Sequence, residues 1–207
     1  MQILEIKKQK EDVCRILVKT GALRFGTFTL TSGKMSSYYI DLRILPSFPE
    51  AFDVVTSIYE SIARGQIGVD RFDRIAGLPT AGIPYGAILA FRTKKPFLYV
   101  RKEAKTHGRE RRVEGLLSPG DVVLVVDDLV TTGKSTLEAV DAVRCEGGVV
   151  NDTVVLIDRE EGGLDALKDA GVRLHAFLRI TEVAETLFKI GLIESKQFED
   201  IMKQKAT

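Results

Sequence analysis

The sequence predicts an α/β fold, a mostly parallel sheet flanked by helices, and three observations carry that expectation. From about residue 74 onward, strand-like and helix-like stretches alternate. Two of the strand candidates, residues 122–127 and 153–158, are nearly continuous apolar runs rather than in-out alternations, the pattern of strands covered on both faces. Glycines stand where helices must stop, at Gly21, at Gly65 and at the pair Gly147-Gly148.

Residues 9–20 place Val13, Ile16 and Leu17 at helical spacing before Gly21. Residues 49–63 read as a second helix, with Pro49 suited to its first turn and Gly65 just past its end. Strands are expected at 74–77, 97–101, 122–127, 153–158 and 172–178. Helices are expected between and after them at 85–93, 135–146, 164–170, 181–190 and 195–203. No repeat, low-complexity segment or linker interrupts the 207 residues, which are expected to form one domain with a sizeable core. Residues 103–115 are polar, strongly charged and fit no element.

The chain carries 30 Lys and Arg against 29 Asp and Glu. That balance argues against a polycationic nucleic-acid binder, so any anion site must come from local clustering. The first ten residues lack an apolar signal core, and no run approaches the roughly 20 apolar residues of a membrane span. A cytoplasmic protein is the expectation. Cys14 and Cys145 sit alone in helix-like stretches and read as small buried hydrophobes rather than as nucleophiles or a disulfide.

In sheets of this kind ligands bind at the C-terminal ends of the strands, and three of those ends are chemically loaded. The strand at 122–127 runs into Asp127 and Asp128, then Leu129, Val130, Thr131, Thr132, Gly133, Lys134, Ser135 and Thr136. Four hydroxyls, a glycine and a helix start suit a phosphate, because backbone N–H groups and the helix dipole both favour an anion there. An ordinary N-cap would explain one hydroxyl and not four. A nucleotide-binding Walker loop shares the Gly133-Lys134-Ser135 tail but needs glycine where this chain has Asp128, and a carboxylate there would face the phosphates. Two adjacent carboxylates beside a phosphate cup call for sugar hydroxyls or a hydrated Mg²⁺. One ligand with a phosphate at one end, ribose hydroxyls and a metal satisfies the whole segment.

The strand at 97–101 runs into a cationic stretch holding Arg101, Lys102, Lys105, His107, Arg109, Arg111 and Arg112. Glu103, Glu110 and Glu114 are available as counter-charges, and a solvated loop is the plain reading for Arg109, Arg111 and Arg112. A nucleic-acid patch would want an aromatic side chain to stack a base, and the stretch contains none. A lid that brings cations to a leaving pyrophosphate and excludes water is the third reading.

Taken together, residues 122–136 resemble the phosphoribosyl pyrophosphate (PRPP) signature of the type I phosphoribosyltransferases: apolar residues, two acids, two apolar residues, then Thr-Thr-Gly. Residues 101–108, Arg-Lys-Glu-Ala-Lys-Thr-His-Gly, resemble the catalytic loop of the orotate phosphoribosyltransferases, and Val113-Glu114-Gly115 sits where that loop ends. Residues 28–41 resemble the family's N-terminal hood, residues 77–84 its pyrophosphate turn, and Asp158-Arg159 its base-recognition turn. The resemblance covers about residues 15–190, with these motifs in family order.

It implies the type I phosphoribosyltransferase fold, with a hood from about residues 1–45 and a lid over about 101–115. It further implies transfer of the phosphoribosyl group from PRPP to orotate, giving orotidine 5′-monophosphate and pyrophosphate in pyrimidine biosynthesis. By that resemblance Asp127 and Asp128 hold the ribose hydroxyls, and Thr131, Thr132, Gly133, Lys134 and Ser135 cup the 5′-phosphate, with Leu129 and Val130 between them in the same site. Arg101, Lys102, Lys105 and His107 touch the pyrophosphate; Lys105, Arg101 and the acid pair are the catalytic set. Arg159, Tyr39 and Thr131 take the orotate. Mg²⁺ arrives with PRPP and meets Asp127 and Asp128 through water, and a homodimer shares its lids across the interface. Neither nucleic acid nor membrane is an expected partner. Two family lysines are missing, replaced here by Thr31 and Ala81, so those contacts do not carry over; Lys34 is a candidate replacement for the first. Two other functions remain open from the residues. A purine phosphoribosyltransferase would share the PRPP motif but need neither the lid sequence nor Arg159. A PRPP-sensing regulator would usually carry a DNA-binding helix pair, which the N-terminus does not show.

Overall fold

The computed structural model describes residues 2–29, 33, 35–102 and 111–205, which form two compact units. The first unit comprises Met1–Val54 and Leu178–Thr207; the second is Val55–Phe177.

In the first unit, α1 (Gln2–Lys19) buries Val13, Cys14 and Leu17 completely and stops at Gly21, whose φ of +74° suits glycine at a helix end. The helix begins well before the expected residue 9. In its first turns Leu4 and Ile6 are exposed along with Glu, Lys and Gln, so no buried apolar stripe announces them. An antiparallel hairpin follows, β1 (Leu23–Thr29) against β2 (Met35–Ile40), with Leu23 opposite Ile40 and a register shift between Phe25 and Phe28. This hairpin carries the hood motif; Thr31 and Lys34 lie outside the described residues.

The helix α2 (Pro49–Ile62) leads toward the second unit, whose strands and helices follow in order. It does not end near Gly65 as its glycine suggested. A wider turn over Ala63–Ile67 continues it, and Gly68, at φ +93°, closes the turn with its N–H on the Ala63 carbonyl. Next come β3 (Arg74–Gly77), α3 (Gly82–Thr93), β4 (Phe97–Val100), β5 (Val113–Glu114), β6 (Val123–Val126), β7 (Leu129–Val130), α4 (Lys134–Cys145), β8 (Asp152–Asp158), α5 (Gly163–Asp169) and β9 (Arg173–Arg179). The sheet order is β5-β4-β3-β6-β8-β7, with β9 also paired to β8. In this sheet β3 runs parallel to β4 and β6, and β8 parallel to β6 and β7, whereas β4 and β5 are antiparallel, with Val100 facing Val113. The end of the charged stretch therefore forms a short edge strand that sequence reading left as loop.

Every residue of β6 and β8 is buried, which explains their unbroken apolar runs. Val123, Val125 and Val155 join Ala139, Val140 and Val143 of α4 in one apolar core. Cys145 does not join them and is exposed, contrary to expectation. It follows Glu138 and Asp141 on the solvent stripe of α4, while the buried stripe runs through Thr136, Ala139, Val140 and Val143.

The last two helices, α6 (Ile180–Lys189) and α7 (Ser195–Lys205), belong to the first unit. There Lys10 of α1 pairs with Glu182 of α6 at 2.7 Å, and the rings of Phe188 and Phe198 stack at 5.0 Å. Burial pushes the Cys14 thiol up to about 12, an inert buried thiol as expected. Among the described residues no helix is long and apolar enough to cross a membrane.

Candidate active site

A cavity of about 170 Å³ opens at the C-terminal end of β6, and every residue from 127 to 136 lines it. One uninterrupted segment thus supplies the acid pair, the hydroxyls and the start of α4, because the chain passes from a buried strand directly into a helix. Gly133 caps α4 at φ +80°, a conformation that brings backbone N–H groups to the cavity without a side chain in the way. Lys134 and Ser135 are exposed, Thr131 is half-buried, and Thr136 is packed inward.

The acid pair sits where the β-ladder slips. Asp127 N donates to Val154 O as a regular parallel pairing requires, but Leu156 N then donates to the Asp128 carbonyl at 3.0 Å instead of to Asp127. The displaced Asp127 carbonyl accepts from the Tyr59 hydroxyl of α2 at 2.9 Å. Tyr59 is buried and its ring lies 5.3 Å from that of Tyr85 on α3. Each carboxylate is also held by the backbone: Asp128 N donates to Asp127 Oδ1 at 2.9 Å and Leu129 N to Asp128 Oδ1 at 2.8 Å. Burial first, and then the negative charge of Asp128, push the Asp127 carboxyl well above the usual range. The first turn of α3 presses on the same strand end. A β-carbon on Gly82 would lie 2.3 Å from the Val126 carbonyl oxygen, so only glycine fits.

A neighbouring cavity of about 190 Å³ shares Ser135 and is lined by Leu78 and Pro79 of the turn after β3, by Arg101, Lys102 and Arg112, and by Glu138. The Pro79–Thr80 peptide in that turn is cis. Arg101 and Arg112 are tied together at the roots of the charged stretch: Arg101 N donates to Arg112 O at 2.7 Å, and Arg112 Nε to Arg101 O at 3.2 Å. Glu146, at the end of α4, accepts the backbone N–H of both Arg112 and Val113 at 3.0 Å. Arg112 is therefore a structural anchor rather than the solvated residue expected, whereas Arg111 is exposed. Glu114 serves as the expected counter-charge, 3.2 Å from Arg101. Lys105 and His107 lie outside the described residues.

Arg159 follows the last residue of β8, and its N–H donates to the Val130 carbonyl at 2.9 Å, which sets it beside Thr131. Its side chain is buried, with Nη2 at 2.8 Å from Glu161 Oε1. A β-carbon on Gly163, which begins α5, would come within 2.7 Å of the Thr131 carbonyl oxygen. Tyr39 belongs to the first unit. There its ring lies 5.6 Å from Phe28 with the Arg24 guanidinium 5.3 Å above it, and its hydroxyl accepts from Arg43 Nη2 at 3.2 Å.

Sequence reading missed Tyr59, Glu146, Glu161 and the steric role of Gly82. Only Gly82 carried a local signal, a glycine opening a helix after the short turn that follows a strand.

A parallel sheet with an acid pair and a hydroxyl-rich cup at one strand end defines a class, the phosphoribosyl transferase domain, and the model of that family matches residues 47–175. The chain is 41% identical to the orotate phosphoribosyltransferase of Sulfolobus acidocaldarius over 194 residues, covering 92% of this chain and 96% of that one. It is 45% identical to the orotate phosphoribosyltransferase of Pyrobaculum aerophilum over 172 residues, covering 83% and 87%. The crystal structure of orotate phosphoribosyltransferase from Aeropyrum pernix superimposes with a TM-score of 0.77 at 36% identity, covering 88% of this chain and 99% of the other. The chain belongs to the orotate phosphoribosyltransferase family.

Proposed function

We propose that this protein transfers the 5-phosphoribosyl group of PRPP to orotate, forming orotidine 5′-monophosphate and releasing pyrophosphate, as a step of pyrimidine nucleotide synthesis. The observation that supports the reading is the hydrogen bond from Arg159 N to Val130 O, which ties the backbone of a residue suited to a carboxylate to the strand that leads into the candidate phosphate cup.

In this reading Thr131, Thr132, Gly133, Lys134 and Ser135 hold the 5′-phosphate, and Asp127 and Asp128 accept from the ribose hydroxyls. Arg159 pairs with the orotate carboxylate and orients the ring nitrogen toward C1′. The ring nitrogen attacks as the bond from C1′ to pyrophosphate breaks, and the ribose passes through an oxocarbenium-like state. Arg101, Lys102, Lys105 and His107 meet the charge that develops on the pyrophosphate, and a closed lid keeps water from the ribosyl cation.

The acid pair fits a hydrated Mg²⁺: its donors are all oxygen, and a cation would offset both the burial and the Asp128 charge that push Asp127 up. Bound there with PRPP, Mg²⁺ would neutralise charge on the departing pyrophosphate. The protein works in the cytoplasm as a homodimer, each lid serving the partner's site.

The test is loss of orotate absorbance with PRPP and Mg²⁺, run beside adenine, hypoxanthine and uracil. Turnover of orotate alone, abolished by EDTA, is the expected result; turnover of a purine would overturn the assignment of Arg159, and no turnover with any base would favour a PRPP-sensing regulator.

A further inference from the structure

Two arginines face each other where β4 and β5 pair. Tyr99 stands opposite Glu114 and Val100 opposite Val113, and the next step of that register sets Arg101 opposite Arg112. Directly opposed residues of an antiparallel pair put their side chains on one face, where like charges are unfavourable. Glu114, 3.2 Å from Arg101, offsets part of that charge. Both arginines line the cavity of about 190 Å³ beside the phosphate cup, together with Lys102. Glu138 is the one carboxylate lining it among the described residues, so the cavity is net cationic.

The backbone holds the like charges in place. A regular pair would exchange two bonds, Arg101 N to Arg112 O and Arg112 N to Arg101 O. The first is made at 2.7 Å. Arg112 N turns instead to Glu146 Oε1 at 3.0 Å, which also accepts from Val113 N, and the Arg101 carbonyl receives Arg112 Nε at 3.2 Å. The guanidinium thus takes the place of a backbone donor. With Nε committed, its Nη1–Nη2 edge is the one suited to two-point contact with an anion. The neighbouring Arg111 is exposed and lies 3.9 Å from Glu146 Oε2, outside the cavity lining.

We propose that Arg112 is a further binding residue for the pyrophosphate group of PRPP, acting with Arg101 and Lys102. The inference rests on the reading that this protein binds PRPP with its 5′-phosphate in the cup lined by residues 127–136. Ser135 lines both cavities, so a ligand with one phosphate in the cup can place a second phosphate group in the cationic cavity. A diphosphate suits that cavity: its oxygens match the planar fork of a guanidinium, and its charge offsets the repulsion between Arg101 and Arg112. A guanidinium already tied through Nε also loses little freedom when the anion arrives.

The experiment is calorimetric titration of wild type, Arg112→Met and Arg112→Lys with PRPP and, separately, with orotidine 5′-monophosphate, which fills the cup but carries no pyrophosphate. Arg112→Met is expected to weaken PRPP binding by about tenfold, the scale of one charge-assisted contact, while the affinity for orotidine monophosphate holds. Arg112→Lys should recover part of the loss, because it keeps the charge but neither the fork nor the bond to Arg101. A PRPP affinity within about threefold of wild type in Arg112→Met would overturn the role. Equal losses in the Met and Lys variants would overturn it too, by assigning the effect to the missing bond to Arg101. A parallel weakening of both ligands would limit Arg112 to the fold. A wild-type protein that binds neither ligand would instead overturn the reading of the cup, and this inference with it.

Discussion

The Tyr59 hydroxyl donates to the carbonyl oxygen of Asp127 at 2.9 Å, and that carbonyl is the one a regular ladder would have given to Leu156. A buried phenol on α2 thus closes the gap left by the slip that turns the acid pair out of the sheet. Burial pushes the Tyr59 phenol well above its ordinary value, with Tyr85 and the acid pair adding to it, so it remains a donor at any working pH.

Tyr59→Phe deletes only that donor. Leaving the carbonyl unsatisfied costs about 1–3 kcal/mol, visible as a lowered unfolding midpoint. If the bond also positions the acid pair, KM for PRPP rises severalfold while KM for orotate stays put. A loss of stability with both KM values unchanged would limit Tyr59 to the fold.

Asp127 is protonated more readily in the folded chain than in the unfolded one. Its contribution to stability therefore declines as pH rises from the ordinary carboxylate value toward its raised folded value. Asp127→Asn should abolish that decline and melt higher than wild type near neutral pH, while losing PRPP binding. Ribose hydroxyls and Mg²⁺ favour the ionised form, so PRPP binding releases a proton and tightens with rising pH. Calorimetry in buffers of different ionisation enthalpy measures that proton directly.

At the far end of β8, burial opposes ionisation of Asp152, but hydrogen bonds from Arg173 and His175 outweigh it and hold the carboxyl below its usual value. The stability from this cluster is complete above the ordinary carboxylate range and is lost as pH falls through the lowered one. Asp152→Asn should cost about 2 kcal/mol, since it breaks charge-assisted bonds to a buried group. Orotate and PRPP kinetics should be unaffected, because β8 separates Asp152 from Arg159 by about 23 Å at the rise of an extended strand.

Lys105→Ala should lower turnover by about 10²-fold, the scale of one lost transition-state contact. If lids are shared between subunits, mixing the inactive Lys105→Ala and Asp128→Asn proteins restores turnover by pairing an intact lid with an intact acid pair. Failure to recover any activity on mixing would place each lid over its own subunit's site.

Much of this was legible because the site is consecutive. The acids, hydroxyls and glycine of residues 127–135 declare themselves as one string, and the strands that carry them are apolar because both faces are covered. What sequence could not show acts across distance. Tyr59 lies 68 residues from Asp127, and Glu146 reaches back 34 residues to Arg112; each looks like any helical tyrosine or glutamate until the fold brings it home. Cys145 misled because an apolar-looking residue in the last turn of a helix can fall on either stripe. The membership of α6 and α7 in the first unit left no mark, since helices at a chain end declare their apolar face but not the surface that covers it.

In the proposed function the sugar phosphate is held by one string, residues 127–135, and the carboxylate of the base by Arg159 at a different strand's end. Donor and acceptor recognition are thereby heritable separately. A lineage with this sheet can exchange the nitrogenous partner by rewriting the short turn around Arg159 while leaving the phosphate string untouched, so one ancestral donor site can furnish enzymes for many bases.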